Sequence, residues 1–338
     1  MKVFTRSSPL SKMGLNLIGI CLVVLSIGIS ISYGTTNIDL HKIGQAVFQF
    51  HSDNQSHQVI RELRIPRALA AALVGAFLAV SGALMQGMTR NPLASPSIMG
   101  VTDGAAFMLV IMLAFYPGVS NLGLTFAAFI GAGVAATLVF SVGSFSSGGL
   151  TPVKLALAGV AIGMLLRSLS SLLSLHFQLE KDIGFWLAGG LDGTGWNSIK
   201  VLLIVGVVGM IIAISVAKSI TVLSLGDDLS IGLGQNNARI RVLGIVAVLL
   251  LTGGAVSVAG SVGFVGLIIP HITRFIVGTD YRWIIPTSAV FGALLLVNAD
   301  LIARMVNAPF ETPVGAITSI LGVPFFLYLA RGSGGDKK

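Results

Sequence analysis

The chain has 338 residues, of which 54% are hydrophobic and only 10% are charged, and its formal net charge is +8. A soluble domain carries about 25% charged residues, so this chain could not cover its surface in water, and we expect it to lie in a lipid bilayer. Its 21 lysines and arginines are dispersed between apolar stretches. This dispersion argues against a nucleic-acid-binding protein, because such a protein clusters its basic residues on one face.

Ten apolar stretches follow one another along the chain, each close to the length of about 20 residues that a membrane-crossing helix needs. The first lacks a cleavage pattern and is longer than the apolar core of a signal peptide, so it is predicted to remain as the first span. The eighth is short and contains Pro270 and Arg274, which indicates a half-crossing or broken helix surrounded by protein. The predicted spans are 14–34, 67–88, 97–117, 121–143, 153–175, 197–217, 240–260, 261–278, 284–306 and 313–331.

Basic residues indicate the orientation of these spans. Lysines and arginines are more frequent on the side of the N terminus, and cytoplasmic loops carry more positive charge than outer loops. Both termini are therefore predicted to be cytoplasmic, in an all-α polytopic membrane protein with about ten transmembrane helices in one domain, 1–338. Arg64 and Arg67 then fall on the outer side, against this tendency. That conflict indicates a partner on the outer side.

A polar outer segment, about 35–66, separates the first two predicted spans. His41, His51 and His57 lie in it, but their spacing fits no metal-ligand motif, so no metal site is predicted. Apolar residues recur there at roughly helical spacing, which predicts a short helix at the membrane interface. These apolar residues are Ile38, Leu40, Ile43, Val47 and Phe50.

The longest polar stretch on the predicted inner side is 226–239. Asp227 and Asp228 are predicted to cap a short helix, Gly234 to end it, and Asn236 to cap a second one. Two short helices under the membrane would form a protruding contact surface. The alternative is an ordinary solvated loop.

Several kinds of chemistry are absent from the sequence. No Gly-Lys pair occurs, so the chain has no phosphate-binding loop for ATP, and it has no H-E-x-x-H, C-x-x-C or G-x-S-x-G motif. Asp103 and Asp300 are predicted to lie toward helix ends, whereas ion-coupled transporters bury ionisable groups at mid-membrane. An intramembrane enzyme and an ion-driven transporter are both disfavoured, and any energy would come from another subunit.

Motifs along nearly the whole chain resemble the permeases of ATP-binding-cassette (ABC) importers for iron siderophores, haem and cobalamin, the FecCD type that includes the cobalamin permease. Each motif is short, but together and in this order they are specific. The matching segments are Arg64–Arg67, Ser81–Gln86, Asn91–Ala94, Gly100–Gly104, Gly260–His271, Asp280–Arg282, Ala299–Arg304, Pro313–Thr318 and Leu321–Pro324.

The resemblance implies a type II ABC importer permease in the bacterial cytoplasmic membrane, a multi-pass transport subunit and not an enzyme. It implies as partners a second permease subunit, identical or related, two cytoplasmic ATPase subunits and an extracytoplasmic binding protein or lipoprotein. ATP and magnesium would bind to the ATPases, and this chain would hold no cofactor or metal. A ferric siderophore is the expected substrate. The alternatives are haem or cobalamin and, from another class, an ion-coupled secondary transporter.

The resemblance also assigns residues to three roles. Arg64, Arg67 and Arg304 would receive acidic residues of the binding protein, or alternatively reach to lipid phosphates. The residues that would couple to the ATPase are Asp227, Asp228, Leu229, Ile231, Gly232, Leu233, Gly234, Asn236 and Ala238, with Gly232 and Gly234 permitting a tight turn. The transport path would be lined by Ala83, Gln86, Gly159, Gly163 and Met164, although helix packing explains the same residues.

Overall fold

The computed structural model describes residues 8–34, 40–51, 53–145 and 152–333, and within these ranges every regular element is helical. A π-helical segment, Val59–Arg64, joins α3 to α4, and a 3-10 turn, Pro96–Met99, precedes α5. The α-helices are α1 Pro9–Ser32, α2 Leu40–Phe48, α3 Gln55–Gln58, α4 Ile65–Thr89, α5 Val101–Phe115, α6 Asn121–Phe145, α7 Pro152–His176, α8 Glu180–Ala188, α9 Trp196–Ser224, α10 Asp227–Gly232, α11 Asn237–Ala259, α12 Val265–Val277, α13 Tyr281–Val306 and α14 Val314–Ser333.

Ten apolar helices correspond to the ten predicted spans. In the described ranges, seven helices are long and apolar enough to cross a membrane, and three shorter ones, 101–115, 265–277 and 314–328, are apolar as well. The prediction of an all-α membrane protein is confirmed. The second span is longer than predicted, because helical structure runs from Gln55 to Thr89 without interruption. The predicted interfacial helix is present as α2, although Ile38 lies outside the described residues.

Helix α4 lies at the centre of the bundle, with α9, α11, α12 and α13 packed around it. Glycine pairs allow the closest approaches. A Cβ added to Gly75 would lie 2.2 Å from the carbonyl oxygen of Gly292 on α13, and one added to Gly82 would lie 1.8 Å from that of Gly266 on α12. Small residues let membrane helices gain van der Waals contact through their backbones, so these glycines fix how α4 packs.

The eighth span is broken, as predicted. Residues 260–263 are irregular, and α12 begins at Val265 with 13 residues, a length of about 20 Å against a hydrocarbon thickness of about 30 Å. Irregular backbone at this depth requires surrounding protein. Here Trp186 packs against Gly260, and Phe264 packs against Gly322 of α14.

Helix α5 begins near the middle of its neighbours. Gly104 in its first turn packs against Gly131 of α6, and Asp103 packs against Gly163 of α7, and these two glycines lie close to the midpoints of 25-residue helices. Asp103 lies in the first turn of α5, as predicted, but this end of the helix lies at mid-depth and not at a membrane face. The 3-10 turn before α5 takes the chain into the bundle, so the helix starts at mid-depth.

The bundle has two opposite ends. The arginine end is the one where α4 begins and α13 finishes, and it contains Arg64, Arg67 and Arg304. The α10 end is the opposite one, where α9 finishes, α10 lies and α11 begins.

Candidate functional site

Three arginines meet at the arginine end because α4 packs against α13. Arg64 and Arg67 lie about one turn apart where helical structure enters α4, and Arg304 lies in the last turn of α13. The structure thus brings together the three residues predicted to dock a binding protein, although Arg304 is more than 200 residues away in sequence.

Arg67 is surrounded by carboxylates of the same chain. Its Nε and Nη2 donate to Oδ1 of Asp300 at 3.0 and 2.9 Å, and its Nη1 donates to the carboxylate of Glu311 at 2.7 and 2.9 Å. Asp192 lies further away, with its Oδ1 3.8 Å from Nη2. The Asp300 side chain is fully buried, whereas that of Glu311 is about one-third exposed. Asp300 therefore anchors Arg67, and Glu311 is the carboxylate that can be exchanged.

Arg64 and Arg304 are buried and hold the end of α1. Arg64 Nη1 donates to the carbonyl oxygens of Ile31 and Ser32 at 2.7 and 3.1 Å, and Arg304 Nη2 donates to the carbonyl oxygen of Ser30 at 3.1 Å. The last carbonyls of a helix have no partner within the helix, and arginine side chains commonly satisfy them. These two arginines therefore also stabilise the fold, which sequence reasoning did not anticipate.

Asp192 and Glu311 separate two cavities at this end. A cavity of about 400 Å³ contains the three arginines, and one of about 210 Å³ lies beside Trp186. Burial and the hydrogen bond with Glu311 raise the pKa of Asp192 to about 6. Burial alone would raise the pKa of Glu311, but hydrogen bonds from Arg67 and Asp192 bring it below its ordinary value. The sequence analysis did not single out either acid, and the signal available was that both fall in predicted outer loops, on the same side of the membrane as the arginines.

At the α10 end, Asp227 connects three segments of the chain. Its carboxylate accepts hydrogen bonds from Arg90, which follows α4, at 3.0 Å and from Arg241 on α11 at 2.8 Å. The predicted capping by Asp227 and Asp228 is wrong, because Gly226 is the N-cap and no side chain caps α10. Asp227 instead joins α10 to α4 and α11, and it holds the short helix in place.

The predicted second short helix is the start of a long one. Asn236 does cap it, since its Oδ1 accepts from the backbone N–H of Arg239 at 3.0 Å, but this helix continues as α11 to Ala259. Gly234 ends α10 with a φ of +78°, a conformation that favours glycine. Gly232 is helical, and nothing lies within 4 Å of a Cβ built on it.

The surface of α10 is apolar and exposed. Leu229, Ile231 and Leu233 are 61%, 61% and 72% exposed, on a segment that the Asp227 ion pairs hold in place. The other predicted coupling residues, apart from the half-buried Asp227, are also exposed: Asp228, Gly232, Gly234, Asn236 and Ala238.

Four of the five predicted path residues are buried within this chain. Ala83 lies inside the bundle, and Gln86 Nε2 donates to the carbonyl oxygens of Gly266 and Leu267 at 3.3 Å while its Oε1 accepts from Arg274. Gly159 and Gly163 are buried against the start of α5, and Met164 is exposed on α7. In this conformation only Met164 has a surface that faces away from the chain, and the role of all five stays a prediction.

The model of the FecCD transport family matches residues 22–332. The chain belongs to the FecCD transport family. Permeases of this family are transport subunits of bacterial ABC importers and not enzymes, so this permease is an integral protein of the cytoplasmic membrane. It works with ATPase subunits and a substrate-binding protein.

Similar proteins carry iron chelates or cobalamin. The permease is 58% identical over 313 residues to the iron(3+)-hydroxamate import system permease protein FhuB of Bacillus subtilis, which covers 93% of this chain and 82% of the relative. It is 45% identical over 315 residues to the iron-uptake system permease protein FeuB of the same organism, covering 93% and 94%. It is 40% identical over 288 residues to the cobalamin import system permease protein BtuC of Halobacterium salinarum, covering 85% and 77%.

A solved structure shares the whole architecture. It is an inward-facing conformation of a metal-chelate type ABC transporter, with a TM-score of 0.83 and 32% identity, covering 96% of this chain and 100% of that chain. A second, PsaBC of Streptococcus pneumoniae in complex with Fab, has a TM-score of 0.57 at 19% identity and shows a common fold alone. The fold of the permease is therefore that of an ABC transporter subunit.

Helix α7 is the most exposed long helix of the permease. It packs against α5, α6, α8 and the 3-10 turn at Pro96–Met99, and many of its other side chains in the described ranges are exposed. Arg167 is also exposed and donates from Nη2 and Nε to Oδ1 of Asp103 at 2.8 and 3.1 Å. Hydropathy and motifs do not predict this ion pair, because the two residues belong to different predicted spans.

Proposed function

We propose that the permease translocates a ferric siderophore, and a hydroxamate chelate in particular, across the cytoplasmic membrane. The observation that carries this proposal is the 58% identity over 93% of the chain to an iron(3+)-hydroxamate import permease. The similarity to a cobalamin permease is lower, at 40% over 85% of the chain. A second subunit, identical or related, would complete the path, because the exposed surface of α7 needs a cover.

In this proposal the arginine end faces outward and receives the binding protein. Arg64, Arg67 and Arg304 provide guanidinium groups around a cavity of about 400 Å³ that also contains Asp192 and Glu311. Guanidinium groups bind carboxylates with a fixed geometry, and charge complementarity sets the register of docking and the association rate. An acidic residue on each lobe of the binding protein is the matching partner.

The α10 end faces the cytoplasm. There are two ATPase subunits, and the α10 end of each permease subunit contacts one of them. The exposed side chains of Leu229, Ile231 and Leu233 give α10 an apolar surface that water solvates poorly, and the Asp227 ion pairs transmit its movement to α4 and α11. ATP and magnesium bind to the ATPases, and this chain needs no cofactor of its own.

Uptake by the reconstituted importer tests the proposal. The permease, its ATPase and its binding protein are placed in vesicles and supplied in parallel with ferrichrome carrying radioactive iron and with labelled cobalamin. We expect ATP-dependent uptake of ferrichrome and none of cobalamin. Uptake of cobalamin alone would contradict the proposed substrate. Uptake driven by an ion gradient without the ATPase would contradict the proposed ATP-driven mechanism.

A further inference from the structure

The Asp103–Arg167 ion pair lies at mid-depth in the bundle. Asp103 packs against Gly163, the twelfth residue of α7, and Arg167 lies one turn further along the same 25-residue helix. Gly104, the next residue of α5, packs against Gly131 in the middle of α6. Both charges are thus about half a membrane away from water at either end of the helices.

Lipid is an unsuitable neighbour for this ion pair. The Arg167 side chain is 70% exposed, whereas that of Asp103 is 14% exposed. An arginine facing lipid at the centre of a bilayer costs at least about 2.5 to 3.5 kcal/mol, and such residues face a water-filled cavity or the interior of a bundle. The surface of α7 around Arg167 therefore faces a water-filled path or the second subunit, and not lipid.

The exposed surface of α7 has two faces of different polarity. Residues spaced by four, seven, eight and eleven positions lie on one helical face, and the face that includes Arg167 also has two serines. Its polar middle is formed by Arg167, Ser168 and Ser171, and all its members are exposed: Leu157, Val160, Met164, Arg167, Ser168, Ser171 and Leu175. The adjacent exposed face consists of Leu165, Leu169 and Leu172. The first face suits contact with water and a polar solute, and the second suits lipid or the second subunit.

We propose that Arg167, held by Asp103, contacts the chelate at mid-membrane and selects for its charge. This inference rests on the proposed function. The pair has no net charge. An uncharged, oxygen-rich chelate therefore accepts hydrogen bonds from the guanidinium and faces no unpaired charge. A chelate with a net charge of either sign has no counter-charge there. The pair thereby favours uncharged ferric hydroxamates over charged iron chelates.

Two ferric trihydroxamates of different charge test this selection in the reconstituted importer. Ferrichrome is uncharged and ferrioxamine B has a single positive charge, and the readout is the ratio of ferrioxamine B uptake to ferrichrome uptake. Arg167→Gln leaves Asp103 uncompensated and should raise the ratio at least about threefold, and Asp103→Asn leaves Arg167 uncompensated and should lower it by a similar factor. The double variant should return the ratio to that of the unmodified permease.

A control variant and an assembly measurement separate this effect from damage to the fold. Leu172→Ala, on the apolar face of α7, should leave the ratio unchanged, and size-exclusion chromatography reports assembly with the ATPase. Ratios that are unchanged, or that move in the same direction in both single variants, would overturn the selection by Arg167. If the unmodified importer takes up neither chelate with ATP, the proposed function itself fails, which is a different result.

Discussion

Arg67 donates from Nη1 to Glu311 at 2.7 Å, which joins the start of α4 to the loop between α13 and α14. The other side of the same guanidinium is held by Asp300, which is fully buried on α13. In the proposed docking, an acidic residue of the binding protein would therefore meet an Arg67 that already has two carboxylate partners. Since Glu311 lies on an irregular, partly exposed loop, it is the partner that docking would displace.

Glu311→Gln should strengthen docking. The amide is a weaker acceptor than the carboxylate, and hydrogen bonds to charged groups contribute about 1.5 to 3 kcal/mol when buried. With partial exposure, we expect the affinity for the binding protein to rise about three- to tenfold, measured by surface plasmon resonance on the permease–ATPase complex in nanodiscs. Glu180→Gln, an exposed change of the same charge on α8, is the control. A lower affinity in Glu311→Gln would mean that Glu311 orients Arg67 for docking.

Asp192 should make the stability of the arginine end depend on pH. Its folded pKa of about 6 lies above its ordinary value, so the folded state binds a proton that the unfolded chain does not bind. The loss of folding stability caused by the ionised carboxylate is fully present above pH 6 and disappears as the pH falls toward about 4. The thermal unfolding temperature should therefore rise between pH 7 and pH 5. Asp192→Asn should be more stable at pH 7 and lack this rise, and an unchanged profile in the variant would contradict the assignment.

Glu311 sets the lower pH limit of that measurement. Its lowered pKa means that its stabilising contact with Arg67 is present above its ordinary value and is lost as the pH falls further. The comparison between the permease and Asp192→Asn is therefore made above pH 4.5. Below that value the two effects have opposite signs.

Apolar run length was enough to predict ten spans and a short eighth one, whereas Pro270 lies inside α12 and the irregular segment 260–263 precedes that helix. Hydropathy does not predict the mid-depth start of α5. This start depends on contacts that residues 90–100 make with glycines of helices distant in sequence. The arginine cluster was predicted from the family resemblance, whereas the conflict with the charge tendency only indicated an outer partner for Arg64 and Arg67. The carboxylates that hold Arg67 were not predicted, since Asp300 lies on α13 and Glu311 in the loop after it, and the packing of α13 on α4 brings both to Arg67.

Gly82→Ala should disrupt the packing of α12 on α4. The added Cβ would lie 1.8 Å from the carbonyl oxygen of Gly266, a backbone atom that cannot move without shifting the broken span. We expect a loss of more than about 3 kcal/mol in the free energy of unfolding, seen as low recovery of monodisperse protein and a lower unfolding temperature. Gly133→Ala on α6, where nothing lies within 4 Å of the new Cβ, should behave like the unmodified permease. Equal recovery of both variants would contradict the close contact.

Gly232 and Gly234 should respond differently to the same substitution. Gly234→Val places a β-branched residue at a φ of +78°, which costs at least about 1 to 2 kcal/mol and should shift α10 away from α11. Gly232 is helical and open, so Gly232→Val should leave the permease folded and add bulk only toward the ATPase. Both variants should lower ferrichrome uptake per ATP hydrolysed, but only Gly234→Val should lower the unfolding temperature of the isolated permease. Normal coupling in Gly232→Val would contradict an ATPase contact at this residue.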